Sequence, residues 1–246
     1  MPSLHSPTTV STPDAPSVKT ERRYGGLSAQ ERVQQRREKL LGAAVQVFGT
    51  LGLRKATIRD ICHEARLAER YFAEHFHSAA DAYEAAFKQL SQQALAATSS
   101  AMATAKLDTK ALAQAGLSAF LHFVQEDPRR AQILLVDASS YWRHATIRSN
   151  PELNQQAQVM AHLAGMIYPK LPAHIELEII GAALIGSSLQ ACLIWVQNGF
   201  RQSIEQVVDH LMFIWDGLDR WFTHEIERSQ AQDKGKKKPI DKGRSV

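Results

Sequence analysis

An all-α fold in two parts is expected from three features of this chain of 246 residues. Between residues 28 and 229 the apolar positions recur three and four apart, and no stretch keeps a two-residue alternation. Reciprocal capping pairs stand where apolar runs begin: Ser28 with Glu31, Thr57 with Asp60, and Ser203 with Gln206. The runs are short up to residue 78 and long after it. The expected organisation is a disordered arm over 1–26, a three-helix unit over 27–78, a larger helical domain over 79–229 and a disordered basic tail over 230–246.

The first helix, over 29–51, carries Val33, Leu40, Leu41, Ala44, Val47, Phe48 and Leu51 at helical spacing, and Gly52 is placed to end it in a left-handed turn. A second helix over 58–65 buries Ile58, Ile61, Cys62 and Ala65. Three residues on, the stretch 65–76, "ARLAERYFAEHF", sets Phe72 and Phe76 four apart on one face of a very short helix. The remaining helices are expected over 79–104, 109–126, 128–143, 151–170, 173–198 and 203–229, with Pro128 and Asn150–Pro151 as first-turn starts.

Composition excludes several classes. The formal net charge of +4 is modest, but residues 21–60 hold nine basic side chains against four acidic ones, so an anionic partner is best met near the N-terminus. Cys62 and Cys192 are the only cysteines, which argues against a disulfide framework and fits the cytoplasm. The uncharged run 179–200 is long enough for a membrane helix. Its Ser187, Ser188, Gln190, Gln197 and Asn198, with no flanking basic cluster, point instead to a helix buried on nearly all sides. His63–Glu64 lacks the second histidine of a zinc-protease helix, and His75 and His77 point to different faces, so no metal is expected. No phosphate loop, nucleophile elbow or paired carboxylate stands in the chain, so neither a cofactor nor an enzymatic activity is expected.

Two short helices three residues apart, the second polar on its outside, make a helix-turn-helix pattern. In such a unit the first helix meets a phosphate with its N-terminus, and the second offers hydrogen-bonding side chains to base edges. Thr57 supplies a hydroxyl at that N-terminus, and Arg59 lies off the inner face. With Phe72 and Phe76 turned inward, Glu69, Arg70, Tyr71 and His75 are left for solvent or DNA. Arginine is the commonest specific reader of guanine, which singles out Arg59 and Arg70. Lys55 and Arg66 complete the candidate DNA-facing set.

Residues 36–83, from "RREKLLGAAVQVFGTLG" through "TIRDI" to "YFAEHFHSAADAY", resemble the DNA-binding domain of tetracycline-repressor-type (TetR family) transcriptional regulators. The resemblance implies a homodimer that represses nearby genes from a double-stranded operator and leaves DNA when a small effector binds. It also implies that the last two long helices form the dimer interface. Three positions depart from the family pattern: Arg66 where the turn has glycine, Ala73 where a tyrosine touches phosphate, and Ala79 where a lysine follows the serine. These departures leave open a second reading, a helical small-molecule-binding or protein-interaction dimer whose DNA binding is weakened or lost.

The apolar faces of the last two helices independently suggest a dimer, through Ala182, Gly186, Leu189 and Leu193 on one and Val207, Leu211, Trp215 and Leu218 on the other. For a largely apolar effector the middle helices offer Phe87, Phe120, Phe123, Tyr141, Trp142, Met160, His162 and Met166.

Overall fold

A computed structural model describes residues 28–141 and 151–236. The arm over 1–26, Trp142, the cap at Asn150 and the end of the tail lie outside the described residues. Among the described residues every regular element is helical. In order they are α1 (Ala29–Leu51), α2 (Ile58–Ala65), α3 (Glu69–Ala73), α4 (Ala79–Ala103), α5 (Thr109–Glu126), α6 (Pro128–Ala131), a π-helical segment (Gln132–Asp137), α7 (Ala138–Tyr141), α8 (Pro151–Ile167), α9 (Leu177–Gln197) and α10 (Ile204–Lys236).

Helix starts follow their caps. Ser28 and Glu31 exchange bonds at the head of α1, with the Ser28 N–H donating to Glu31 Oε2 at 2.6 Å and the Glu31 N–H to Ser28 Oγ at 3.1 Å. Gly52, at φ 76°, closes α1 by donating its N–H to the Phe48 carbonyl. Prolines decide two boundaries that periodicity alone misplaces. Pro169 stops α8 at Ile167, short of 170. A turn closed by the Ile175 N–H on the Pro172 carbonyl holds back α9 until Leu177, past 173. At the other end of the chain α10 runs on to Lys236, past the expected end at 229, because no proline interrupts 230–236.

The stretch expected as one helix over 128–143 is divided. Asp127 caps α6, and then the π-helical segment widens the turn over Gln132–Asp137. This segment lies between two cores. Its Ile133 is buried with Leu40, Phe48, Ile61, Phe72, Phe76 and Tyr83, the core shared by α1, α2, α3 and the first half of α4. Its Leu135 is buried with Leu121, Val124, Cys192, Trp195 and Val208, the core shared by α5, α9 and α10.

Several further contacts fasten the same joint. The Tyr83 hydroxyl donates to the Ile133 carbonyl at 2.9 Å. Arg129 donates to Gln46, and a Cβ on Gly49 would sit 2.3 Å from Arg129 Cβ, so α1 and α6 touch almost backbone to backbone. Asp137 accepts from the Leu53 N–H at 2.9 Å and from Gln132 Nε2 at 3.0 Å.

Burial of Asp137 pushes its carboxyl above the usual carboxylate range, against the opposing effect of those two hydrogen bonds. A folded-state pKa above the unfolded one means that the folded chain holds the proton more tightly. The group therefore favours folding below its unfolded pKa, and that contribution is lost as pH rises through the folded value. Asparagine in its place can accept from Leu53 and donate to a flipped Gln132 amide without a buried charge. Asp137→Asn is expected to melt at or above the parent temperature at pH 7, with the difference closing as pH falls into the carboxylate range. A variant that melts lower at neutral pH would overturn this account.

Helix α9 is less enclosed than its composition suggests. It is long and apolar enough to cross a membrane, yet only 28% of its most apolar window is buried. Gly181, Leu184, Cys192, Leu193 and Trp195 face inward, while Ile179 and Ile194 stand exposed. The expectation of burial on nearly all sides is corrected: one face has no covering helix among the described residues.

Candidate DNA interface and ligand cavity

The helix-turn-helix unit is built by local chemistry. Thr57 and Asp60 cap α2 reciprocally, the Asp60 N–H donating to Thr57 Oγ1 at 3.2 Å and the Thr57 N–H to Asp60 Oδ2 at 2.9 Å. The Thr57 hydroxyl donates to the same carboxylate at 2.6 Å, and these bonds from Thr57 hold the Asp60 pKa down. The hydroxyl proton is thus committed to the cap, and what α2 presents at its head is mainly backbone N–H groups. Arg66 ends α2 in the left-handed region, at φ 54° and ψ 44°, where glycine is at ease and arginine is strained. The turn is kept by the Leu67 N–H donating to the Cys62 carbonyl at 3.0 Å.

From the core side, Phe72 and Phe76 pin α3 with centroids 5.4 Å apart. Lys55, Thr57, Arg59, Arg66, Glu69 and Arg70 are exposed, and Tyr71 is half-buried. Arg59 Nε lies 3.7 Å from Glu69 Oε1, an ion pair joining α2 to α3. Both partners are exposed, and such pairs contribute at most about 1 kcal/mol. Arg59 is therefore free to exchange Glu69 for a base or phosphate.

A residue from outside the motif completes this surface. Arg36 of α1 lies over the Tyr71 ring at 4.8 Å, and Arg70 also lies 4.8 Å from that ring while donating to the Tyr71 hydroxyl at 3.0 Å. Arg36 further pairs with Glu74 at 3.4 Å. Tyr71 is thereby held by two guanidiniums and in turn sets the position of Arg70. Periodicity assigns Arg36 only to the outside of α1, and its role appears once α1 and α3 are packed.

His75 does not face outward as expected. It is half-buried with Nε2 enclosed, and burial holds its pKa below the usual value. Among the described residues no cluster of three His, Cys, Asp or Glu side chains is gathered as a metal site would require.

A deep cavity opens among α4, α5, α8, α9 and α10, with an empty volume of about 1120 Å³ including its mouth. Its walls are helix stripes: Thr109, Leu112, Gly116 and Phe120 on α5, Val159, Leu163 and Ile167 on α8, and Ile180, Leu184 and Ser188 on α9. Gly181 brings α9 against α8, since a Cβ there would meet the Ala157 carbonyl at 2.7 Å. Among the described residues no charged side chain lines the cavity.

Of the expected pocket residues, Phe120 and Met160 line this space. Trp142 lies outside the described residues, and the other five stand elsewhere. Phe87 is buried in the core around Phe48, and Phe123 is packed away beneath Arg130, whose guanidinium lies 4.2 Å from its ring. Tyr141 packs on Tyr83 and donates to Glu84 at 2.6 Å. His162 and Met166 lie on the outer side of α8.

The expected interface residues divide similarly. Leu189, Trp215 and Leu218 line the cavity, while Leu193, Val207 and Leu211 are buried in the core around Trp195. Ala182 and Gly186 are half-buried on α9. The apolar side chains left outside are Ile179 and Ile194 on α9 and Phe213 and Trp221 on α10, with Phe213 71% exposed.

A three-helix unit packed through a π-helical segment on an all-α domain with an apolar cavity defines the architecture. No family model and no curated relative matches the sequence. Solved structures do match. The fatty acid degradation regulator FadR from Bacillus halodurans superposes with a TM-score of 0.61 at 15% identity, covering 73% of this chain and 94% of its own. A TetR-family transcriptional regulator from Pectobacterium atrosepticum also reaches 0.61, at 20% identity over 77% of this chain and 97% of its own. The multidrug binding protein EbrR, complexed with imidazole, gives 0.53 at 16% identity over 72% and 93%. The chain has the fold of the TetR-family transcriptional regulators.

Proposed function

We propose that this protein is a ligand-responsive transcriptional regulator of the TetR type, a cytoplasmic homodimer that grips a pseudo-palindromic operator with two copies of α3. The observation that carries the reading is the outward pair Arg70 and Tyr71, set on a short helix that two phenylalanines bind to the core. Lys55, Arg66 and the N-terminus of α2 serve phosphates, and Arg59 and Arg70 serve bases. The wide spacing of Ile179, Ile194, Phe213 and Trp221 on the outside of α9 and α10 suits an isologous interface that hides them. The cavity takes the effector. Neighbours described as a fatty acid degradation regulator and a multidrug binding protein support an apolar one.

A salt series with DNA from upstream of the protein's own coding region tests the reading. The logarithm of affinity is expected to fall linearly with the logarithm of salt, by about 0.9 per phosphate neutralised. A flat response, or no binding at low salt, would leave the second reading, a small-molecule-binding dimer without DNA recognition. Ala73 is the residue that gives that reading its basis, because it offers no hydroxyl to the backbone.

A further inference from the structure

The cavity's polar groups are few, and the proton bookkeeping of those around Tyr168 restricts what can bind. Along α8 the lining runs from Gln156 to Tyr168, a rise of about 18 Å at 1.5 Å per residue. The walls between are almost wholly apolar. At the Tyr168 end three side chains from three helical regions meet. The Tyr168 hydroxyl, just after α8, donates to Asp219 Oδ1 of α10 and is also hydrogen-bonded to Thr109 Oγ1 of α5.

A phenol has one proton. With that proton on Asp219, the bond between Thr109 and Tyr168 can form only if the Thr109 hydroxyl donates. Thr109 lines the cavity, and its Oγ1 is left with a lone pair and no proton to give. The Asp219 carboxylate beyond Tyr168 is exposed and does not line the space, and neither do the exposed Lys106 and Lys110. Burial and the bond to Asp219 raise the Tyr168 pKa to about 12, so the phenol keeps its proton throughout the physiological range.

We infer that the ligand of this cavity is an elongated lipophile whose head group donates a hydrogen bond to Thr109 Oγ1. An alcohol, an amide N–H or an ammonium meets the requirement. A carboxylate does not, because it brings only acceptors to Thr109 Oγ1 and a charge into a cavity that no cation lines among the described residues. The inference rests on the reading of the cavity as the effector site.

Displacement of the neutral dye Nile red from the full-length protein, without DNA, tests it with four probes of equal chain length kept below their micelle concentrations. Dodecanol is expected to bind about three- to tenfold tighter than dodecyl methyl ether, which only accepts, in keeping with one hydrogen bond. Dodecylamine should match or exceed dodecanol, and dodecanoate should be weakest. Tyr168→Phe frees the Thr109 hydroxyl to donate, so the ether should gain a hydrogen bond and tighten towards the alcohol, and the preference should close. Thr109→Val should bring the alcohol down to the ether, and a thermal melt of each variant checks that it folds. Dodecanoate binding as well as dodecanol, or an alcohol preference that survives in both folded variants, would overturn the inference alone. Displacement by none of the four would overturn the effector-site reading with it. Loss of operator binding would bear only on the proposed function.

Discussion

Tyr83→Ala is expected to lower stability by about 3–5 kcal/mol, the range for removing a large buried aromatic. The ring is fully buried, meets Phe48 edge-on at 5.5 Å and packs against Phe87 and Tyr141 at 6.4 Å and 5.0 Å. Its hydroxyl supplies the bond to the Ile133 carbonyl that ties α4 to the π-helical segment. Burial raises the phenol pKa far above its usual value, so the group acts only as a neutral donor. Alanine removes the ring from the centre of the joint and the donor from a buried carbonyl. Tyr83→Phe keeps the ring and isolates the second loss, expected at about 1–3 kcal/mol. Urea unfolding of both variants measures the difference, and a loss below about 1 kcal/mol for alanine would mean that the site collapses around the cavity.

Arg70→Ala is expected to have the largest effect on DNA recognition while leaving the fold intact. The side chain is exposed, so no core contact is lost, and Phe72 and Phe76 still hold α3. An arginine reading a base bidentately contributes about 1–3 kcal/mol of discrimination, or roughly five- to 150-fold. Competition between the operator and unrelated duplex should show that ratio shrinking by this amount. Affinity for unrelated DNA should weaken less, because only one charge is removed. Unchanged operator preference would remove Arg70 from the reading surface and leave Arg59 as the base reader. Arg36 then gives a graded comparison, since its loss would leave Arg70 present but Tyr71 held from one side only.

Much of this arrangement was legible in the residues. Capping pairs located the starts of α1 and α2, and Phe72 and Phe76 oriented α3, because these are local interactions within four residues. The misplacements share a different cause. Position on a short helix turns His75 outward, but its Nε2 is enclosed in the packed chain, with Arg36 and Arg37 of α1 nearby. Phe87, Phe123 and Tyr141 carry no mark that separates a core aromatic from one lining a cavity. That distinction depends on how the helices pack around the cavity, whose wall includes small residues such as Gly116 and Ser188 that stand out in no sequence pattern. Leu193, Val207 and Leu211 belong to an apolar stripe that faces the chain's own core, whereas the stripe left outside is sparser and was hidden by the uniform apolarity of α9.

The π-helical segment places an unusual constraint on the chain, one of length rather than of residue identity. Ile133 and Leu135 serve opposite cores, so substitutions that keep their bulk leave the joint standing. Deleting one residue within 132–137 is different. The extra residue of the wide turn would be gone and the segment would tighten to an α-helix, so the side chains at 132–137 that serve the two cores could no longer all keep their places. Asp137 bound to the Leu53 N–H and the Ile133 carbonyl bound to Tyr83 are the contacts put at stake there. Genetic drift at this joint is therefore open to substitution and closed to deletion, and the added residue has become part of the frame.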